Sequence, residues 1–126
     1  MTSVSRYLIR ATEELETSQL LLQNKHYRAC ISRCYYGMYY ATQALLASRN
    51  IFSRTHKGVI KQFSQHFVKS GALPAEMVKD LSNTYDLRQI SDYEETALLT
   101  HQQAQQTLEV STQFVNRVHL FLEEMD

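Results

Sequence analysis

The sequence predicts an all-α fold, an antiparallel bundle of about five helices in a single domain, and three observations point there. The 126 residues hold only three glycines and one proline, too few turn residues for a succession of short strands. Apolar residues recur three and four apart through several long segments, as they do in helices with one buried face. Capping residues stand where such segments begin, at Thr55 and at Thr100 with Gln103. A composition 44% hydrophobic and 21% charged suits one globular core in a chain of this length.

Each element follows in order. Val4, Leu8, Ala11, Leu15, Ser18 and Leu22 form the inward stripe of a first helix from Ser3 to about Asn24. A second runs from Tyr27 to about Arg49. Thr55 caps a third with Val59, Ile60, Phe63 and Phe67 inward, ended near Gly71. Pro74 suits the first turn of a fourth, which carries Met77, Val78, Leu81 and Tyr85. A capping box of Thr100 and Gln103 opens a fifth with Ala104, Leu108, Ser111, Val115, Val118 and Leu122 inward.

Thirteen basic and thirteen acidic residues give no net charge, so any contact with nucleic acid has to be local rather than a bulk attraction to phosphate. No apolar run is long enough to span a bilayer and the N-terminus lacks a signal-peptide apolar region. A cytoplasmic protein is the expectation. Cys30 and Cys34 lie one helical turn apart, where a disulfide would be strained and a zinc site incomplete. They are expected as free buried thiols in a reducing compartment.

The second helix is apolar on more than one side. Cys34–Ser48, "CYYGMYYATQALLAS", has no charged residue. Tyr27, Ile31, Cys34, Met38 and Leu45 make an ordinary core face. The opposite face carries Ala29, Arg33, Tyr36, Tyr40, Ala44 and Ala47, and a helix apolar on every side is covered on every side. The cover is either other helices of the same chain or a second copy. Tyrosine and arginine among small residues suit such an interface, because each offers a large contact area with a polar tip.

Arg88 stands where an apolar residue is expected. Stepping about 100° per residue from Met77, Leu81 lies at about 40°, Tyr85 at about 80° and Arg88 at about 20°, in mid-stripe. Asp92 follows at about 60° if the helix continues that far. Two readings fit: an Arg88–Asp92 pair one turn apart at the bundle end, or a guanidinium in a partly buried cleft that grips a phosphate bidentately. His26, His56, His66, His101 and His119 show no metal-ligand spacing. His66 and His119 read as partly solvated packing residues, whereas His56 opens the third helix and points to a site near its end. No Gly-rich phosphate loop, GxSxG or paired carboxylates for acid–base work occurs, and no metal or cofactor is expected.

Taken together, "YRACISRCYYGMYYATQALLASRN", "THKGVIKQFSQHFVKSGALP" and "LRQISDYEE" resemble the small stand-alone HEPN proteins of bacteria and archaea, from Tyr27 to Glu95. The resemblance implies a helical bundle that dimerises and a genetic partnership with a minimal nucleotidyltransferase as a toxin–antitoxin pair. It also implies metal-independent ribonuclease chemistry, with an arginine and a following histidine from each copy forming one composite site. The arginine would hold the scissile phosphate while the histidine serves proton transfer during attack by the RNA 2′-hydroxyl.

Arg88 matches the family arginine, but Asp92 and Tyr93 stand where the histidine is expected, an Arg-x3-Asp-Tyr form familiar among the small members. Tyrosine is a poor base at neutral pH, and aspartate becomes one only where burial raises its pKa. Two functions therefore stay open. One is a ribonuclease toxin using Arg88 with Asp92, Tyr93 or His56. The other is a non-catalytic dimerisation module binding RNA, a nucleotide or the nucleotidyltransferase through Arg33, Tyr36, Tyr40 and His56. By resemblance, Tyr93 is also a candidate acceptor for nucleotide transfer from that partner.

Overall fold

The computed structural model describes residues 1–125, and its elements are helices: α1 (Ser3–Gln23), α2 (Tyr27–Ser48), α3 (His56–Phe63), α4 (Ala75–Tyr93) and α5 (His101–Glu124). A π-helical turn, Ser64–Val68, continues α3. α1 and α2 form an antiparallel hairpin turned at Asn24–His26, where Lys25 takes a left-handed φ of 64°. Gly37 lets the two helices meet closely, since a Cβ there would lie 3.0 Å from Leu15 Cδ2. α2 is the central element, with α1, α3, α4 and α5 all packed on it.

The core centres on Tyr35, Met38, Leu45 and Leu46 of α2, which meet Val59 and Phe63 of α3, Phe67 of the π turn, Leu81 of α4 and Val115 and Val118 of α5. A smaller cluster of Cys30, Ile31, Cys34 and Ala104 lies toward the other end of α2. Both cysteines are free and buried. Hydrogen bonding with Cys34, followed by burial, pushes the Cys30 thiol far above its ordinary range. Hydroxyls enter the interior cheaply by bonding their own helix. Ser18, Thr42, Thr84 and Thr107 each donate to the carbonyl four residues back.

The predicted helix starts hold where a side chain makes the cap. Thr55 Oγ1 accepts from Gly58 N at 2.9 Å, and Thr100 with Gln103 closes a reciprocal capping box. Some boundaries differ. Asn24 and Arg49 are C-caps just outside their helices, and Pro74 is the extended N-cap of α4 rather than a residue of its first turn. The third segment does not run as one α-helix toward Gly71, because the register opens at Ser64. Arg49 holds that turn by donating to the His66 carbonyl while its guanidinium sits 4.0 Å from the Phe67 ring centre. Thr84, Thr107 and Phe114 are buried although the apolar stripes do not contain them.

The second face of α2 divides. Ala44 and Ala47 are buried within the chain itself, the first of the two covers that the sequence allowed. Ala29 is exposed, while Arg33, Tyr36 and Tyr40 are half-buried. No described helix is long and apolar enough to cross a membrane.

Candidate functional site

α4 stays helical through Tyr93, which sets Asp92 one turn beyond Arg88 and turns both toward α2. The Arg88 side chain is only 11% exposed. Its Nη2 donates to the Tyr36 hydroxyl at 2.7 Å and its Nη1 to Gln89 Oε1 at 2.9 Å. Its Nε approaches Asp92 Oδ2 to 2.8 Å, yet makes no properly directed hydrogen bond. The contact is therefore chiefly coulombic. Asp92 is 27% exposed, so water screens the pair and its contribution to stability is at most about 1 kcal/mol. Arg88 thus makes the one-turn pair with Asp92 and lies inward against a tyrosine face.

His56 reaches the same place from α3. The Thr55 cap positions the first turn, and His56 Nδ1 lies 2.8 Å from the hydroxyl of Tyr35, a fully buried residue. The imidazole is ringed by Tyr39, Tyr35, Tyr85 and Tyr36, with centroids between 4.7 and 5.9 Å away. Burial, and then the Arg88 charge, lowers the His56 pKa below 6.5. Burial among these rings raises that of Tyr35 well above the usual phenol range. Tyr36 joins the two candidates, since the Arg88 Cζ lies 5.2 Å and the His56 ring 5.9 Å from its ring centre.

The rest of the tyrosine face is edged by cations. Arg33 lies 4.7 Å over the Tyr36 ring and 3.0 Å from Glu14 Oε2 of α1. Arg10 donates to the Tyr40 hydroxyl at 2.8 Å and covers that ring at 4.3 Å, and the Tyr7 ring stacks with it at 6.3 Å. Burial raises the Tyr40 pKa, against the nearby Arg10 charge. The predicted residues Arg33, Tyr36, Tyr40, His56, Arg88 and Asp92 therefore share one surface. Tyr93 stands at its rim, 70% exposed, with its ring 5.7 Å from Arg88 Cζ.

Two participants escaped the sequence reading. Arg10 lies on the outer side of the first stripe, and nothing in its own helix marks it as a partner of Tyr40. Arg28 donates to the carbonyls of Ser91, Glu94 and Ala97, locking the end of α4 behind Asp92. That bond spans more than sixty residues, beyond the reach of periodicity. Lys25, His26, Arg28, Ser91 and Asp92 help line a groove of about 490 Å³ beside it. Among the described residues no group of three His, Cys, Asp or Glu side chains converges to hold a metal.

Arginine and histidine from different helices thus meet on one tyrosine surface. A family model described as HEPN domain matches residues 4–123. The chain belongs to the HEPN family. This HEPN chain is similar to two proteins of Methanocaldococcus jannaschii. "Putative toxin MJ0142" is 30% identical over 94% of this chain and 81% of its own length. "Putative toxin MJ0605" is 32% identical over 91% and 85%. A UPF0332 protein of Thermotoga maritima is 27% identical over 92% of this chain and 88% of its own. Among solved structures, TT1696 of Thermus thermophilus superposes with a TM-score of 0.82, covering 96% of this chain and 99% of that one. At 14% identity it shows the HEPN protein's fold alone.

Proposed function

We infer that this HEPN protein is of toxin–antitoxin type and acts on RNA in the cytoplasm, through a cleft at a homodimer interface where Arg88 holds a phosphate. The observation that carries this reading is the Arg88 guanidinium, nearly buried yet turned to a half-open face. Two of its donors rest on the neutral partners Tyr36 and Gln89. A phosphate oxygen displaces neutral partners readily, and a water-poor pocket strengthens the charged bonds that replace them. Arg10 and Arg33 supply local positive charge in a chain with no net charge, and the tyrosine rings offer surfaces on which bases stack. The toxin names of the relatives support the class. A minimal nucleotidyltransferase is the protein partner it implies.

The homodimer places the half-open Arg33, Tyr36 and Tyr40 face against its copy, which brings two Arg88 residues to one cleft. Size-exclusion with light scattering tests it: wild type runs as a dimer and Tyr36→Glu as a monomer. A monomeric wild type at micromolar concentration removes the composite cleft. A non-catalytic binding module is the second reading, favoured by Asp92 being engaged with Arg88 and by Tyr93 pointing to water. Incubation with mixed cellular RNA in EDTA, beside Arg88→Ala, separates the two. Cleavage by wild type alone supports the ribonuclease. Retention of RNA without cleavage, lost in Arg88→Ala, supports the binding module.

A further inference from the structure

The motif on α4 holds a cation and its counter-ion but no side chain placed to move a proton. Asp92 faces Arg88 at 2.8 Å and the Ser32 hydroxyl at 3.5 Å, while Tyr93 is turned out to solvent. An imidazole reaches the Arg88 site from α3, that of His56. Its Nδ1 is engaged by Tyr35, whereas Nε2 makes no hydrogen bond among the described residues and is not shut away from solvent. An imidazole fixed at one nitrogen and open at the other, beside a guanidinium, is the arrangement a general base needs.

We propose that His56 is the proton-transfer residue of the Arg88 site and that Tyr35 is its positioning residue. The inference rests on the ribonuclease reading above and names the group that Arg-x3-Asp-Tyr lacks. The role requires the tautomer in which Nδ1–H donates to the Tyr35 oxygen; Nε2 then carries the free lone pair, and the same hydrogen bond persists after Nε2 gains a proton. Tyr35 suits this task because its buried phenol does not ionise at working pH and so does not trap the imidazolium as an ion pair.

The groups facing His56 are Tyr35, Tyr36 and Tyr39 of α2, with Tyr85 and Arg88 of α4. None is a carboxylate, so none of them pairs with the imidazolium as a counter-ion. Burial and the Arg88 charge favour the neutral form of His56. In the reaction, the ribose 2′-oxygen bonds to phosphorus as its proton passes to Nε2. The P–O5′ bond breaks with its electron pair on the 5′-oxygen, which takes a proton from solvent. His56 then returns its proton to solvent. Arg88 stays on the phosphate oxygens throughout.

The test follows an end-labelled single-stranded oligoribonucleotide in EDTA with wild type, His56→Gln, Tyr35→Phe and Arg88→Ala, each checked for folding by circular dichroism. His56→Gln is expected to lower kcat by roughly 10²–10⁴-fold, the span of general acid–base catalysis, with little change in RNA affinity. Arg88→Ala is expected to lose affinity as well. Nitrogen-15 spectra of wild-type imidazoles supply a readout besides activity. His56 should be the Nδ1–H tautomer and titrate below 6.5. Tyr35→Phe should redistribute the tautomer and displace the pH–rate profile. Wild-type cleavage retained in His56→Gln overturns the inference and leaves the ribonuclease reading standing. A wild type that binds RNA without cutting it overturns that reading, and the proton-transfer role with it. An Nε2–H tautomer in wild type overturns the base assignment whatever the activity, and a Tyr35→Phe spectrum unchanged at His56 overturns the role of Tyr35.

Discussion

The two sides of α2 differ more than two sides of one helix usually do. Ile31, Cys34, Met38 and Leu45 pack against aliphatic and aromatic side chains and are fully buried. Round the helix from them, Tyr39 and, on the opposite face, Tyr36 and Tyr40 are half-open and tipped with hydroxyls that take bonds from Gln43, Arg88 and Arg10 in turn. One side gains its energy from area removed from water, which tolerates no gaps. The other arranges charged donors around rings, where each contact adds little to stability but sets a chemical environment. Apolar packing and charged contacts are therefore carried by different faces, joined at Tyr35, which is core by burial and reaches the polar face by its bond to His56.

Substitutions can sharpen or break that division, beginning with the largest effect. Leu45→Ala on the packed side should cost about 2–5 kcal/mol in denaturant unfolding. A loss as small as that of a surface change would deny the contrast. Arg88→Ala on the open side should cost about 1 kcal/mol or less of stability while abolishing retention of RNA on a filter. An equal loss of stability in both variants would make Arg88 a structural residue first.

Gly58→Ala lies between the two regions. A Cβ there would fall 2.4 Å from Ser53 Oγ and 2.6 Å from Thr55 Oγ1, so the α3 cap must open. About 1 kcal/mol of stability should go with it, and the His56 resonances should move. Unmoved resonances would show that the cap does not position the imidazole.

The smallest effect is with pH. Because His56 has a folded-state pKa below the ordinary 6.5, the unfolded chain takes its proton first as pH falls. This contribution is whole above about 6.5 and is lost as pH drops through the interval beneath that value. Thermal melts between neutral and mildly acid pH should show the decline in wild type and a flatter curve in His56→Gln. Identical slopes would place the titration elsewhere.

The order, type and approximate bounds of the helices were legible because they depend on local chemistry. Few glycines, a repeating apolar stripe and the hydroxyl caps at Thr55 and Thr100 act within a turn or two of themselves. Arg88 was legible as an anomaly for the same reason, since its angular position on α4 follows from spacing alone. The π turn at Ser64–Val68 was not, nor was the bond that Arg49 of another element makes to a carbonyl within it. What covers the Ala44 and Ala47 side of α2 was not legible, because an uncharged face says that it is covered without saying by what.

The sequence by itself determined that this protein is a bundle of helices with a cation in its fourth stripe and a histidine at the start of its third. Only the tertiary structure decided that these two meet on Tyr36, that Tyr35 holds the imidazole and that Arg28 ties down the end of α4. Helical periodicity encodes which way a side chain points from its own axis. Which axis it then meets depends on how the helices cross and turn, and that is settled by the packing of the whole core.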